Sequence, residues 1–227
     1  MRKTRKAAAV LTAVAMAAVS AAPVMADEIK DLYDYELQTR EIETWNVLYS
    51  QLATDLQVLT NLYDGLLESD EYGKLVPAVA ESWETEDNGI TWTFHLRQGV
   101  KWVDQNGNEK GEVTAQDFLT GLEWVLNFHK NDATNTAMPM IEGAEDYYNM
   151  TSELDADAGL ALTAESPEFA DTVGIKAIDD YTLQYTCVSE KPYFDTVATY
   201  NCLYPISQAM IDEIGIDGFK AATPENI

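Results

Sequence analysis

Glu86-Asp87-Asn88-Gly89-Ile90-Thr91-Trp92-Thr93-Phe94-His95-Leu96-Arg97 is the stretch on which the fold class turns. Asn88-Gly89 adopts positive φ readily and suits a tight turn between two strands. Beyond it, Ile90, Trp92, Phe94 and Leu96 alternate with Thr91, Thr93, His95 and Arg97, the period of a strand with one buried face. Trp83 then belongs on the partner strand. Val100 and Trp102 continue into a short strand that ends in the polar turn Asp104-Gln105-Asn106-Gly107-Asn108. This alternation makes core packing a better reading of Trp83, Trp92 and Trp102 than a stacking site for a sugar or a base.

Helical patterns flank this hairpin. Thr54 and Gln57 form a capping box, and Leu56, Leu59, Leu62 or Tyr63 and Leu66 recur at helical spacing, predicting a helix from about Asp55 to Asp64. Upstream, Leu32, Tyr35 and Leu37 suit a first strand. A second box, Thr114-Ala115-Gln116-Asp117, opens a helix with the apolar stripe Phe118, Leu122, Val125 and Leu126. No basic residue occurs between Lys130 and Lys176, while acids accumulate, so this region reads as a solvated insertion with short helices. Val173 to Ile178, the Asp179-Asp180 turn and the alternating Tyr181 to Val188 restore strand character. Pro192 suits the start of a short helix through about Thr199, and Ser207 caps another that stops at Gly215. Strands and helices without regular βαβ alternation give a mixed α/β (α+β) class.

The N-terminus sets the compartment. Arg2, Lys3, Arg5 and Lys6 precede an apolar run from Ala7 to Ala22, and Val24-Met25-Ala26 fits a small-x-small cleavage site, so residues 1–26 read as a signal peptide and Asp27 as the mature start. The apolar run is short for the about 20 residues of a membrane span. The leader carries four of the 14 basic residues and none of the 39 acidic ones, so its removal takes the net charge from −25 to −29. Such a field repels phosphate and anionic lipid, which argues against nucleic-acid or membrane-surface binding. No cysteine near the cleavage site supports a lipid anchor. Cys187 and Cys202 would meet an oxidising compartment, where one disulfide is plausible; the sequence leaves the pairing open.

Reactive constellations are missing from the sequence: no G-x-S-x-G, H-E-x-x-H, C-x-x-C or phosphate-cradling glycine loop occurs. His95 lies on the strand face opposite Trp92 and Phe94, which suits an exposed or structural histidine better than a catalytic base. Asp155 to Gly159 and Asp104 to Asn108 imitate calcium loops but miss the required glycine or closing glutamate, and read as turns. No metal site or cofactor is expected.

The blocks Ala80-Glu81-Ser82-Trp83-Glu84, Gly89 to Trp102, and Val113-Thr114-Ala115-Gln116-Asp117-Phe118 resemble the hallmark region of bacterial peptide/nickel solute-binding proteins of ABC importers. Leu62-Tyr63-Asp64-Gly65-Leu66-Leu67, Val173 to Leu183 and Pro192-Tyr193-Phe194 agree in the same order. Two departures stand out: Val103 to Glu112 is a longer polar loop than the family's short turn, and Trp124 stands where many relatives carry an arginine. The resemblance implies a type II (class C) periplasmic-binding-protein-like fold, with residues 27–227 forming a truncated first lobe and the second lobe missing. It also implies an extracytoplasmic monomer that encloses an oligopeptide between two lobes and meets permease subunits. By the same resemblance, Tyr49, Ser50, Gln51, Leu52 and Ala53 are the expected ligand-facing residues of the first lobe. Against this stand an oligosaccharide or metal-chelate cargo, a peptide-signalling receptor, and a secreted hydrolase with its catalytic half elsewhere.

Overall fold

The computed structural model describes residues 41–42, 44–49, 52–131 and 137–224. The leader and the first strand expected around Leu32, Tyr35 and Leu37 lie outside the described residues, as do Ser50 and Gln51.

The alternating stretch forms strand β4 (Thr91–Leu96), with Trp92, Phe94 and Leu96 buried and the threonines and His95 turned outward. Strand β3 (Ala80–Glu86) pairs with it antiparallel and places Trp83 opposite Phe94. Their connection runs one residue earlier than the sequence predicts. Asp87 and Asn88 take φ of 51° and 57°, and the Gly89 N–H closes onto the Glu86 carbonyl at 3.0 Å, so Asp87-Asn88 is the centre of the turn. Gly89 serves a different purpose: a Cβ there would lie 2.6 Å from the Lys191 carbonyl carbon. Its own carbonyl accepts the Lys191 N–H, which docks a distant segment on the hairpin tip.

Two later strands, β7 (Ile175–Asp179) and β8 (Thr182–Thr186), complete an antiparallel sheet of order β3-β4-β8-β7. Register pairs Phe94 with Leu183, and Trp92 with Tyr185, so one face carries the apolar side chains of three strands. Phe194 seals it, with ring centroids 5.3 Å from Tyr185 and 6.2 Å from Trp92. Two small hairpins flank the sheet: β1 (Leu67–Ser69) with β2 (Leu75–Pro77), and β5 (Lys101–Val103) with β6 (Glu109–Glu112).

Helix α1 spans Ala53–Leu59 and α2 spans Ala115–Leu126. The second starts where the sequence places it: the Asp117 carboxylate accepts the Thr114 N–H at 2.8 Å in a reciprocal capping box. The first does not. Leu52 is its N-cap, Thr54 already lies inside the helix, and Asp55 is buried in the first turn, so the Thr54 box does not cap it.

The acidic stretch after Lys130 does hold short helices, α3 (Ala144–Ser152), α4 (Ala156–Leu160) and α5 (Pro167–Ala170). It is not merely solvated, however, because Tyr147, Phe169 and Val173 are buried in the core. Beneath them, Glu123 and Lys130 pair at 2.6 Å with side chains only 3% and 7% exposed. The same carboxylate accepts the Tyr147 hydroxyl and the Asn127 amide, each at 2.8 Å, and Lys130 also donates to the Leu162 carbonyl. Burying two charges costs less when they are paired and further hydrogen-bonded, as both are here.

Helix α6 covers Phe194–Val197, and α7 covers Gln208–Lys220. Ser207 caps α7 by accepting the Met210 N–H, and Gly215 (φ 75°, ψ 165°) breaks the helix where the sequence stops it, although a further turn follows.

Candidate ligand-binding site

Residues 44–49 form a strap whose backbone is held from several directions. Asn46, fully buried, donates to the Phe219 carbonyl at 3.0 Å and accepts the Leu48 N–H at 2.9 Å. Thr44 donates to the Lys220 carbonyl, and the Trp45 N–H reaches the Ala222 carbonyl, so the strap is tied to the end of α7. From the other side Asn201 donates to the Val47 carbonyl at 2.8 Å, and Asn131 to that of Leu48 at 3.3 Å. These side-chain amides bond the strap's main chain much as a neighbouring strand would.

The expected ligand-facing residues follow directly. The Tyr49 N–H is already given to the Asn46 carbonyl at 3.1 Å, and the residue is half-exposed. Leu52 is half-buried at the start of α1, and its carbonyl accepts the Leu56 N–H; Ala53 is exposed. Tyr49 and the Leu52-Ala53 pair thus flank the undescribed Ser50 and Gln51.

Trp45, on the strap, also forms one wall of a groove of about 550 Å³. Tyr63 and Trp102 form another, meeting edge to face with centroids 6.4 Å apart. Pro205, Met210 and Pro224 contribute further apolar surface. A smaller cavity of about 300 Å³, between the β5–β6 hairpin and α7, shares Trp102, Val103, Asp104, Gln105 and Met210 with the first. Core packing holds for all three expected tryptophans, Trp92 buried within the core and Trp83 and Trp102 half-buried against it, and Trp102 in addition lines both spaces. Its indole N–H faces the Asp117 carboxylate without closing a hydrogen bond.

Charges on the groove are partly matched. Lys101 pairs with Glu112 at 3.2 Å, while Lys110 lies 3.8 Å from Asp104 and 3.7 Å from Glu213. Glu112 accepts the Tyr181 hydroxyl and the Gly99 N–H, each at 2.7 Å, and these bonds with Lys101 lower its pKa to about 2. Asp104 is held below the usual carboxylate range, mainly by the Asn108 side chain, as the predicted polar turn closes on it. Burial pushes the Tyr63 hydroxyl well above its ordinary value and keeps it neutral.

Among the described residues no cluster of three or more His, Cys, Asp or Glu side chains is arranged to hold a metal ion. His95 lies half-exposed, 3.4 Å from Glu84 on the outer sheet face, and Asp155 caps α4 instead of closing a calcium loop. No disulfide joins Cys187 and Cys202; both are buried thiols, and burial raises the Cys187 pKa to about 11. The strap's asparagines and the groove escaped sequence reasoning, since their partners come from segments far apart in the chain.

A family model described as "Bacterial extracellular solute-binding proteins, family 5 Middle" matches residues 74–226. The chain belongs to this family. The oligopeptide-binding protein AmiA of Streptococcus pneumoniae is 35% identical over 217 residues, which is 96% of this chain and 30% of AmiA. A crystal structure of Haemophilus influenzae OppA in complex with RPPGFSPFR superposes with a TM-score of 0.61 at 26% identity, covering 79% of this chain and 31% of that one. A periplasmic oligopeptide-binding protein of Borrelia burgdorferi gives 0.66 at 25% identity, covering 82% and 33%. The family member described here thus spans about 30% of AmiA's length and about a third of these structures. The mixed α/β class expected from the order of strands and helices is the one observed, and it matches part of the oligopeptide-binding structures as the resemblance implied.

Proposed function

We propose that this chain is part of the extracytoplasmic substrate-binding component of an ABC importer, enclosing oligopeptides between two lobes and presenting them to permease subunits. The observation that carries the reading is the strap. A main chain fixed by Asn46, Asn131 and Asn201, with the Tyr49 ring on it and an aromatic groove beside it, is a rigid surface against which an extended peptide can lie. Ligand contacts on this lobe are Tyr49, Ser50, Gln51, Leu52 and Ala53. Closure follows from a ligand touching two lobes at once, with no bond made or broken. In the same reading residues 1–26 are cleaved on export, residues 27–227 belong to the first lobe, and the protein acts as a monomer.

Native mass spectrometry of the protein purified from its host tests this. Co-purified masses that fragment as peptides are expected, on a chain whose first residue is Asp27. A sugar or chelate mass would replace the cargo, and a covalent adduct of a substrate would overturn the binding-only reading.

A further inference from the structure

We infer that Gly215 is a hinge dividing α7 into two parts, and that the second part and the strap open and close as one unit, with an unbroken α7 as the open form. This stands apart from the peptide reading, because its readout is the strap itself. Gly215 has φ 75° and ψ 165°, a region of backbone space that only glycine enters without strain. The helix is broken there, and the two sides of the break bond to different parts of the fold.

The first part belongs to the cavity beside the β5–β6 hairpin. Ser207, which caps it, lines that cavity with Ala209, Met210, Glu213 and Ile214, and Glu213 lies 3.7 Å from Lys110 on the hairpin. Ahead of the cap, the Ile206 N–H is given to the Asp117 carbonyl in α2 at 3.0 Å. The second part belongs to the strap. Its Phe219 and Lys220 carbonyls accept the Asn46 amide at 3.0 Å and the Thr44 hydroxyl at 3.1 Å, and the Ala222 carbonyl just beyond accepts the Trp45 N–H at 3.0 Å. Rotation at Gly215 moves all three acceptors together and leaves the cavity wall in place.

The sequence also supports the unbroken form. Ile211, Ile214, Gly218 and Phe219 fall at i, i+3, i+7 and i+8, one face of a continuous helix, while Asp212, Glu213 and Asp217 fall on the other. In that form the helical hydrogen bonds run through residue 215, and the three carbonyls turn out of register with the strap. The kinked form exchanges this regularity for the strap's bonds, so an L-residue at 215 tips the balance toward release.

Amide hydrogen exchange followed by NMR tests the hinge. In the parent, the Trp45 and Ala221 amides, bonded to the Ala222 and Asp217 carbonyls, should share one opening free energy and one denaturant dependence, distinct from those of Ile211 in the first part. Gly215→Ala adds a Cβ that meets nothing within 4 Å, so its effect is conformational. It should speed Trp45 exchange by about tenfold while the Cys187 amide, held by the Ile90 carbonyl at 2.7 Å, keeps its rate. Gly218→Ala, whose Cβ makes ordinary contact with Ile214 at 3.4 Å, should leave Trp45 no faster. Independent opening of Trp45 and Ala221 would overturn the hinge, as would a Gly215→Ala protein in which strap and sheet amides speed up alike or neither changes. Should that variant not fold, the grouping of amides in the parent decides alone.

Discussion

Replacing Lys130 by methionine should destabilise the protein more than any surface change could, because it strands a charge. The Glu123 carboxylate, 3% exposed, would keep the Tyr147 and Asn127 donors but lose the Lys130 cation at 2.6 Å, and the Leu162 carbonyl would lose its lysine donor. Removing one partner of a buried pair costs about 3–5 kcal/mol, and the orphaned carbonyl falls within that range. With a urea dependence of about 2 kcal/mol per molar for a chain of this size, the midpoint should drop by about 2 M. The triple variant Glu123→Leu/Lys130→Met/Tyr147→Phe removes both charges and the phenol together. It should recover most of the loss and lie within about 2 kcal/mol of the parent. Urea melts followed by tryptophan fluorescence compare the three proteins. A loss under about 1 kcal/mol in Lys130→Met, or a triple variant no better than the single, would refute the claim that an uncompensated charge is the cause.

Gly143→Ala should be severely destabilising, because φ is 68° and a Cβ would fall 1.9 Å from the Thr172 carbonyl oxygen; a thermal melt close to that of the parent would contradict this. The folded-state pKa of Glu112 lies at about 2 against 4.5 unfolded, so its contribution is complete above pH 4.5 and disappears as pH falls toward 2. Glu112→Gln should therefore be less stable than the parent at neutral pH, and the two melting curves should converge near pH 2. Iodoacetamide at pH 7 should leave native Cys187 unmodified, because the thiol is buried and its pKa is about 11. After unfolding without reductant both cysteines should label; no labelling would mean that Cys187 and Cys202 are joined in a disulfide.

Local rules were legible where local physics dominates. The alternation of Trp92, Phe94 and Leu96 is readable because a sheet with one covered face imposes period two on its own sequence. Thr114 and Asp117 are readable because both halves of their box lie within one turn. The Thr54 pattern misleads because the helix already begins at Ala53, with Leu52 as its N-cap and Asp55 buried in its first turn. Glu123 on α2 and Lys130 in the turn beyond it look solvated in the sequence until Tyr147, Asn127 and the Leu162 carbonyl are seen to bond them. Nothing in a linear reading brings Trp45, Tyr63, Trp102 and Met210 to one groove, since each comes from a different stretch of the chain. Family likeness pointed to the neighbourhood of the strap, but the asparagines that hold it could only be found in three dimensions.

The central pairing of the sheet carries a cost in time. Thr93 and Gln184 touch across β4 and β8 at a separation of 91 residues. As the polypeptide emerges from the ribosome, the early hairpin must wait for β8 with an open edge, and closing so long a loop is slow. If the chain is threaded through a translocase, as proposed above, that delay is useful: what cannot finish folding early is still thin enough to pass.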